Sequence, residues 1–327
     1  MRTLHRLLLV SGALLFLGLV FSIGLGPVAV SFTELSWRLP LLLVFPFCIM
    51  TILDVLGWRF AFRRDGIPLR ALFSAWIAGE SFNATTPTAS LGGEAVKAFL
   101  VQSYVPLGES VPSLIIAKTT VTIGQALFLL LGTVAAAWIL PTGSSFLRGM
   151  RWLLVLECVG TGAFVAVQAL GAVGVGARLV HWLGLGRQGR AAALGELDHE
   201  LTSFYRREPR RLAYSVLCYF LSWVLGISEA YIVLQALGIP VSLATAAVIE
   251  SFGTGVSFAA FPIPAKLGAL EAGYVAVFSA LGLGAPAGLT FSLVRRLREA
   301  AWVGLGFLAL SSLRASSPPL GALEPES

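Results

Sequence analysis

Charge is scarce in this chain. Asp, Glu, Lys and Arg together make up 12% of the residues, against 57% apolar, where a soluble domain carries roughly 25% charged residues. Cysteine and histidine are scarcer still. Cys48, Cys158 and Cys218 lie in separate apolar segments without CxxC spacing, and His5, His181 and His199 form no cluster. Those absences exclude a disulfide framework, a zinc ribbon and a redox pair, and leave no metal and no cofactor to expect. No nucleotide-binding glycine motif, Ser/His/Asp set or DxxD phosphate motif occurs either. The expectation is a protein that is not an enzyme. The net charge of +6 does not indicate a nucleic acid partner, because the bases sit where short membrane loops collect them.

What the chain has in quantity is long runs without charge. Leu7 to Val30, Thr119 to Leu140 and Cys158 to Ala177 are such runs, each long enough to cross ~30 Å of hydrocarbon as a helix. A soluble protein of this length has no core able to hide so many. The first run follows Arg2 and Arg6, like a secretory leader, but exceeds a 7–15-residue leader core and lacks a small-x-small cleavage site. It reads as an uncleaved first span.

Six full spans are predicted, over about 7–27, 39–58, 113–140, 152–176, 212–237 and 288–313. Arg2 and Arg6, the connection with Arg59, Arg63, Arg64 and Arg70, and the connection 177–211 with its seven arginines hold most of the bases. Lys and Arg collect on the cytoplasmic side, so both termini are placed inside. Two apolar regions, 71–104 and 243–285, must then enter and leave by the same side, as re-entrant or broken-helix hairpins or as pairs of spans. Residues 79–97, GESFNATTPTASLGGEAVK, are too polar for a lipid-facing helix, and irregular backbone at depth persists only beside protein or a wet cavity.

The two regions resemble each other. Glu80-Ser81-Phe82 recurs as Glu250-Ser251-Phe252. Pro87 to Pro264, Glu94 to Glu271 and Lys118 to Arg295 are each shifts of 177, and Asp54 to Glu229 is a shift of 175. Each half, about 1–145 and 146–313, then reads span, span, hairpin, span within one membrane domain. An odd number of spans per half inverts the second copy, the arrangement that in secondary transporters puts the substrate near the midplane between broken helices. The tail 314–327 reads as short, disordered and cytoplasmic.

Charges within the apolar regions are the candidate site, since each costs ~2.5–3.5 kcal/mol at a helix centre unless paired or wet. Glu94 and Glu271 follow the breaks marked by Pro87, Gly92 and Gly93 and by Pro264 and Gly268. Lys118 and Arg295 stand early in the next span, placed to face those breaks. Glu271, in glycine-bearing and polar surroundings, is expected in a hydrated groove that tolerates its neutralisation. Asp54, Glu80, Glu229 and Glu250 are secondary candidates, Asp54 being one turn from Arg59 and able to snorkel. Glu157 reads as interfacial near Arg151, and Arg298 with Glu299 as a local pair. Trp37, Trp58, Trp138, Trp152, Trp182 and Trp302 read mainly as an interfacial belt. Residues 187–208 read as a helix with Leu194, Leu197, Leu201 and Phe204 on one face, lying on the inner leaflet or packed on the bundle.

The first break, GESFNATTPTASLGGEAVKAFL followed by AKTTVTIGQALF, resembles the signature of the flippase-like membrane family that includes the transmembrane part of lysylphosphatidylglycerol synthases. The second, FPIPAKLGALEAGYVAVFSALGL with SLVRRLREAAWVGLG, is similar to the hopanoid-biosynthesis-associated branch. The resemblance implies a polytopic protein that moves a lipid between leaflets. It places the family's motifs on Asn83, Pro87, Gly92, Gly93 and Glu94, and on Pro264, Gly268, Glu271, Arg295 and Arg296. Many members carry an acid beside the base in the third span, where this chain has Ala117 before Lys118. The synthase members append a soluble catalytic domain and this chain ends at Ser327, so aminoacyl transfer is not expected.

The reading that follows is an all-α lipid translocase of the bacterial inner membrane, with a membrane lipid as partner and no nucleotide. Lys118, Arg295 and Arg296 would meet a phosphate or other anion, Glu94 and Glu271 would hold those bases or bind a cationic group, and Asn83 completes the candidate substrate-binding set, with the half-helix N-termini after Pro87 and Pro264 adding positive dipole ends. The alternative is a non-transporting scaffold for lipid-biosynthetic enzymes. A lipid-sized polar groove reaching both Glu94 and Glu271 favours the first, a sealed interface the second.

Overall fold

The computed structural model describes residues 44–85, 91–170 and 188–315. The first predicted span, Pro87, Trp37, Trp182 and the tail beyond residue 315 lie outside them. The described residues form α-helices and contain no strand: α1 Phe47–Phe60, α2 Leu69–Thr85, α3 Leu91–Leu100, α4 Leu107–Ile139, α5 Ser145–Ala169, α6 Gln188–Arg207, α7 Pro209–Ala236, α8 Leu243–Ala259, α9 Ala269–Ala280 and α10 Ala285–Ala315. A 3-10 turn at Pro264–Lys266 lies between α8 and α9.

Local chemistry starts these helices where the chain allows it. Ser242 accepts the Thr245 amide at 3.1 Å, taking one of the donors a helix start leaves open. Pro209 opens α7, where its missing N–H costs nothing. Three helices, α4, α5 and α7, are long and apolar enough to cross a membrane. α10 has the length, but Arg295, Arg296, Arg298 and Glu299 interrupt its apolar run. Each expected hairpin is a pair of short helices, α2 with α3 and α8 with α9.

α1 packs along α7, α2 along α10, and α8 along α4. Glycines let these helices approach. A Cβ on Gly306 would collide with Ser81 and one on Gly132 with Ser251, and these are the two serines of the repeated Glu-Ser-Phe. One core gathers Trp58, Phe62, Leu72 and Tyr219, and the other Leu129, Val248, Phe278 and Phe291. The outer sides of α4 and α5 expose Trp138, Trp152 and Val159, an apolar surface suited to lipid rather than water. Trp58 belongs to no interfacial belt. It is buried, and its indole donates to Ser113 at 3.2 Å.

Helix α6 packs on the bundle. Leu201 and Phe204 are buried in the first core and Leu197 packs against it. Tyr205 donates to Gln168 of α5 at 2.8 Å, and Arg63 pairs with Glu200 at 3.0 Å. At the same end of the molecule Asp65 takes Arg211 at 2.7 Å and Arg59 at 3.4 Å. The Arg211 hydrogen bond, aided by the Arg211 and Arg59 charges, holds the Asp65 carboxyl below its usual range.

Candidate functional site

The sequence breaks α2 from α3 and α8 from α9, and both breaks are tied by side chains. Asn83, near the end of α2, accepts the Gly93 amide at 2.7 Å and donates to Glu94 at 3.3 Å, tying the end of α2 to the start of α3. Gly93 can carry no side chain, because a Cβ there would run into the Gly79 carbonyl. In the second break Ala265 and Lys266 both adopt positive φ, 50° and 52°, a strained conformation for residues with a Cβ. The Arg296 guanidinium donates to both of their carbonyls, at 2.9 and 3.4 Å. Gly268 takes φ 77°, and its amide donates to Glu271 at 2.7 Å.

Between these breaks lies a cavity of about 470 Å³, within the ~300–1,000 Å³ of ordinary ligand pockets, lined by side chains from both halves of the chain. Asn83, Glu94, Lys118, Glu271, Arg295 and Arg296 all line it, as do Asp54, Glu80 and Glu250. Glu229 does not line it but is buried beside it. Phe261, two-thirds exposed at 68%, and the half-exposed carboxylates of Glu80 and Glu299 mark where the cavity meets its surroundings.

On the first-half wall, Lys97 is wholly buried. It pairs with Glu80 at 2.5 Å and Glu94 at 3.2 Å and lies 3.8 Å from the Trp76 ring centroid, a geometry that suits a desolvated ammonium. Lys118 takes Glu94 at 2.9 Å. On the second-half wall Arg296 holds the wholly buried Glu271 at 2.8 Å and Glu299 at 3.1 Å. Arg295 pairs with Glu250 and donates to the Tyr274 hydroxyl at 2.8 Å. Arg298 pairs with Glu229 under the Phe47 ring, 4.4 Å from its centroid. Lys266 donates to Ser257.

Several expectations are corrected here. The base facing the second break is Arg296, and Arg295 turns to Glu250, because adjacent helical residues point about 100° apart. Arg298 joins Glu229 rather than Glu299. Arg59 is engaged with Asp65, and Asp54 lines the cavity instead of snorkelling toward it. Glu157 is fully buried with neither oxygen bonded among the described residues; it is not interfacial. Trp302 lines the cavity and packs on Phe47 at 4.8 Å. The Gly93 and Gly268 amides already have protein acceptors and are not free for a ligand. The aromatic lining, Trp76, Tyr219, Trp223 and Tyr274, had no distinguishing sequence signal among the chain's 35 Phe, Trp and Tyr residues, the sum of 21, 8 and 6.

Residues 6–306 match the family described as lysylphosphatidylglycerol synthase TM region. The chain is also similar to a UPF0104 membrane protein of Methanothermobacter thermautotrophicus, with 24% identity across 89% of this chain and 90% of that one. No solved structure matches.

Proposed function

The chain belongs to the lysylphosphatidylglycerol synthase TM region family, a family of the membrane, and from that premise we propose that it moves a lipid or lipid precursor between the leaflets of the bacterial inner membrane. The observation that carries the reading is a charged cavity that reaches both Glu94 and Glu271 inside a bundle whose outer helices present apolar side chains. A scaffold needs no such space. A headgroup entering past Phe261 and Glu299 meets Lys118 and Arg296, while its acyl chains stay against the apolar flanks. Asn83, Glu94 and Glu271 position those bases rather than binding on their own.

The proposal includes six spans, cytoplasmic termini and two inverted halves. The reciprocal packing of α2 on α10 and α8 on α4 supports the inversion. So do the matched serine–glycine approaches and the way each break's glutamate takes a base from the following long helix, Glu94 from Lys118 and Glu271 from Arg296, one residue past the repeat counterpart of Lys118. The purified protein, reconstituted into vesicles with a panel of headgroup-labelled phospholipids, should make the inner-leaflet label of at least one lipid accessible to an impermeant quencher. Protein vesicles indistinguishable from empty ones across the panel would leave the scaffold reading in its place.

A further inference from the structure

Charge in the cavity is matched almost everywhere. Of the six carboxylates that line it, Glu80, Glu94, Glu250, Glu271 and Glu299 each have a base within 4 Å. Asp54 has none among the described residues, although it lines the same space. Its counterpart in the repeat, Glu229, holds Arg298. Arg298 stands three residues after Arg295; the place three residues after Lys118 is Val121, which lines the cavity without a charge. The first half therefore lacks the base that the second half supplies.

The surroundings of Asp54 fit a carboxyl that carries a proton. From α7, the Ser222 hydroxyl lines the same cavity and donates to the Met50 carbonyl, 3.3 Å away, so its one hydrogen is not turned to Asp54. The other ionisable groups around it are Cys218 and Tyr219 on α7, Glu80 on α2, Lys97 on α3 and Lys118 on α4. Both lysines are committed to Glu80 and Glu94 and make no ion pair with Asp54. With Asp54 neutral, the five paired lining acids and Glu229 balance the six bases Lys97, Lys118, Lys266, Arg295, Arg296 and Arg298. Ionised, Asp54 leaves one negative charge without a matching base among the described residues, at a half-buried place on the cavity wall that bulk water screens only in part, a state that favours the neutral carboxyl.

We propose that Asp54 is a reversible proton-binding site, loaded from the water of the cavity on one side of the membrane and emptied on the other. Resting on the translocase reading, this makes the proton gradient the energy source for lipid movement. The step is an exchange only: an O–H bond forms on a carboxylate oxygen and later breaks to water, and no electrons change hands.

Two measurements on the reconstituted full-length protein test it. Infrared difference spectra across a pH titration should show a protonated-carboxyl stretch that is lost in Asp54→Asn and kept in Glu80→Gln. In vesicles with an imposed pH gradient, wild-type lipid movement should respond to the direction of the gradient, and Asp54→Asn should lose that response while remaining folded. A carboxyl band that persists in Asp54→Asn, or is missing from the wild type, overturns the site. A band assigned to Asp54 with lipid movement indifferent to the gradient, or driven by sodium instead, overturns the coupling. Absence of any lipid movement by the wild type removes the translocase reading and the coupling together, and the infrared titration still decides the proton site.

Discussion

A carboxylate that holds a buried guanidinium cannot be neutralised without leaving the guanidinium behind. Glu229 and Arg298 are both buried, so Glu229→Gln strands Arg298 and should cost about 3 kcal/mol of stability, the low end for breaking such a pair, since Gln still offers an oxygen. Glu271→Gln should behave similarly. The expectation that Glu271 sits in a hydrated groove does not hold, because its side chain is fully buried and divided between Arg296 and the Gly268 amide. Glu94→Gln should be milder: the Lys118 side chain is 39% exposed and keeps its water, and Lys97 retains Glu80. Thermal unfolding followed by tryptophan fluorescence should rank Glu229→Gln and Glu271→Gln well below Glu94→Gln. Equal midpoints for all three would show that the pairs do not carry the energy assigned to them. Which charges gather at the cavity was legible from one rule, that a charge inside an apolar run needs a reason, although the same rule marks Glu157 and Glu229, which do not line it, and is silent on its aromatic wall. Which charge meets which was not, because helical neighbours differ by about 100° and the sequence does not show where a helix faces.

At the level of elements, the polar breaks announced themselves through Gly, Pro, Asn and Glu in otherwise apolar sequence, and the single face of α6 through its spacing of three and four. What stayed hidden was how the breaks are held. Asn83 at the end of α2 accepts the Gly93 amide in the first turn of α3, and Arg296 reaches 30 residues back to the Lys266 carbonyl. Such ties join residues that no local pattern connects. They carry a consequence for the glycines. Gly93→Ala drives a methyl group into the Gly79 carbonyl and the Asn83 side chain. It should destabilise the protein by about 1–3 kcal/mol, as overpacking does. Gly162→Ala on α5 meets nothing within 4 Å and should be neutral or slightly stabilising, since alanine is the better helix former. The comparison is made by midpoint of thermal unfolding in one detergent. A neutral Gly93→Ala would mean that α2 and α3 have room to separate.

For the whole molecule, hydropathy and length mark α4, α5 and α7 as candidate spans among the described residues; the proposed topology adds α10, whose length is sufficient but whose charges line the cavity. A membrane helix that contributes to a polar site forfeits the signal by which spans are recognised. The distribution of arginine therefore has to supply the orientation, and it makes a prediction that hydropathy cannot. α5 is 25 residues long and rises about 37 Å at 1.5 Å per residue, more than the ~30 Å of hydrocarbon. Ser145 at its start is exposed, and so is Arg206 at the end of α6, in the arginine-rich stretch assigned to the cytoplasm. After replacement of Cys48, Cys158 and Cys218 by alanine, Ser145→Cys should react with an impermeant maleimide in intact cells. Arg206→Cys should react only once the membrane is opened. Labelling of both positions from the same face would reverse the assignment of α5 as a span, and with it the odd number of crossings that inverts one half of the chain against the other.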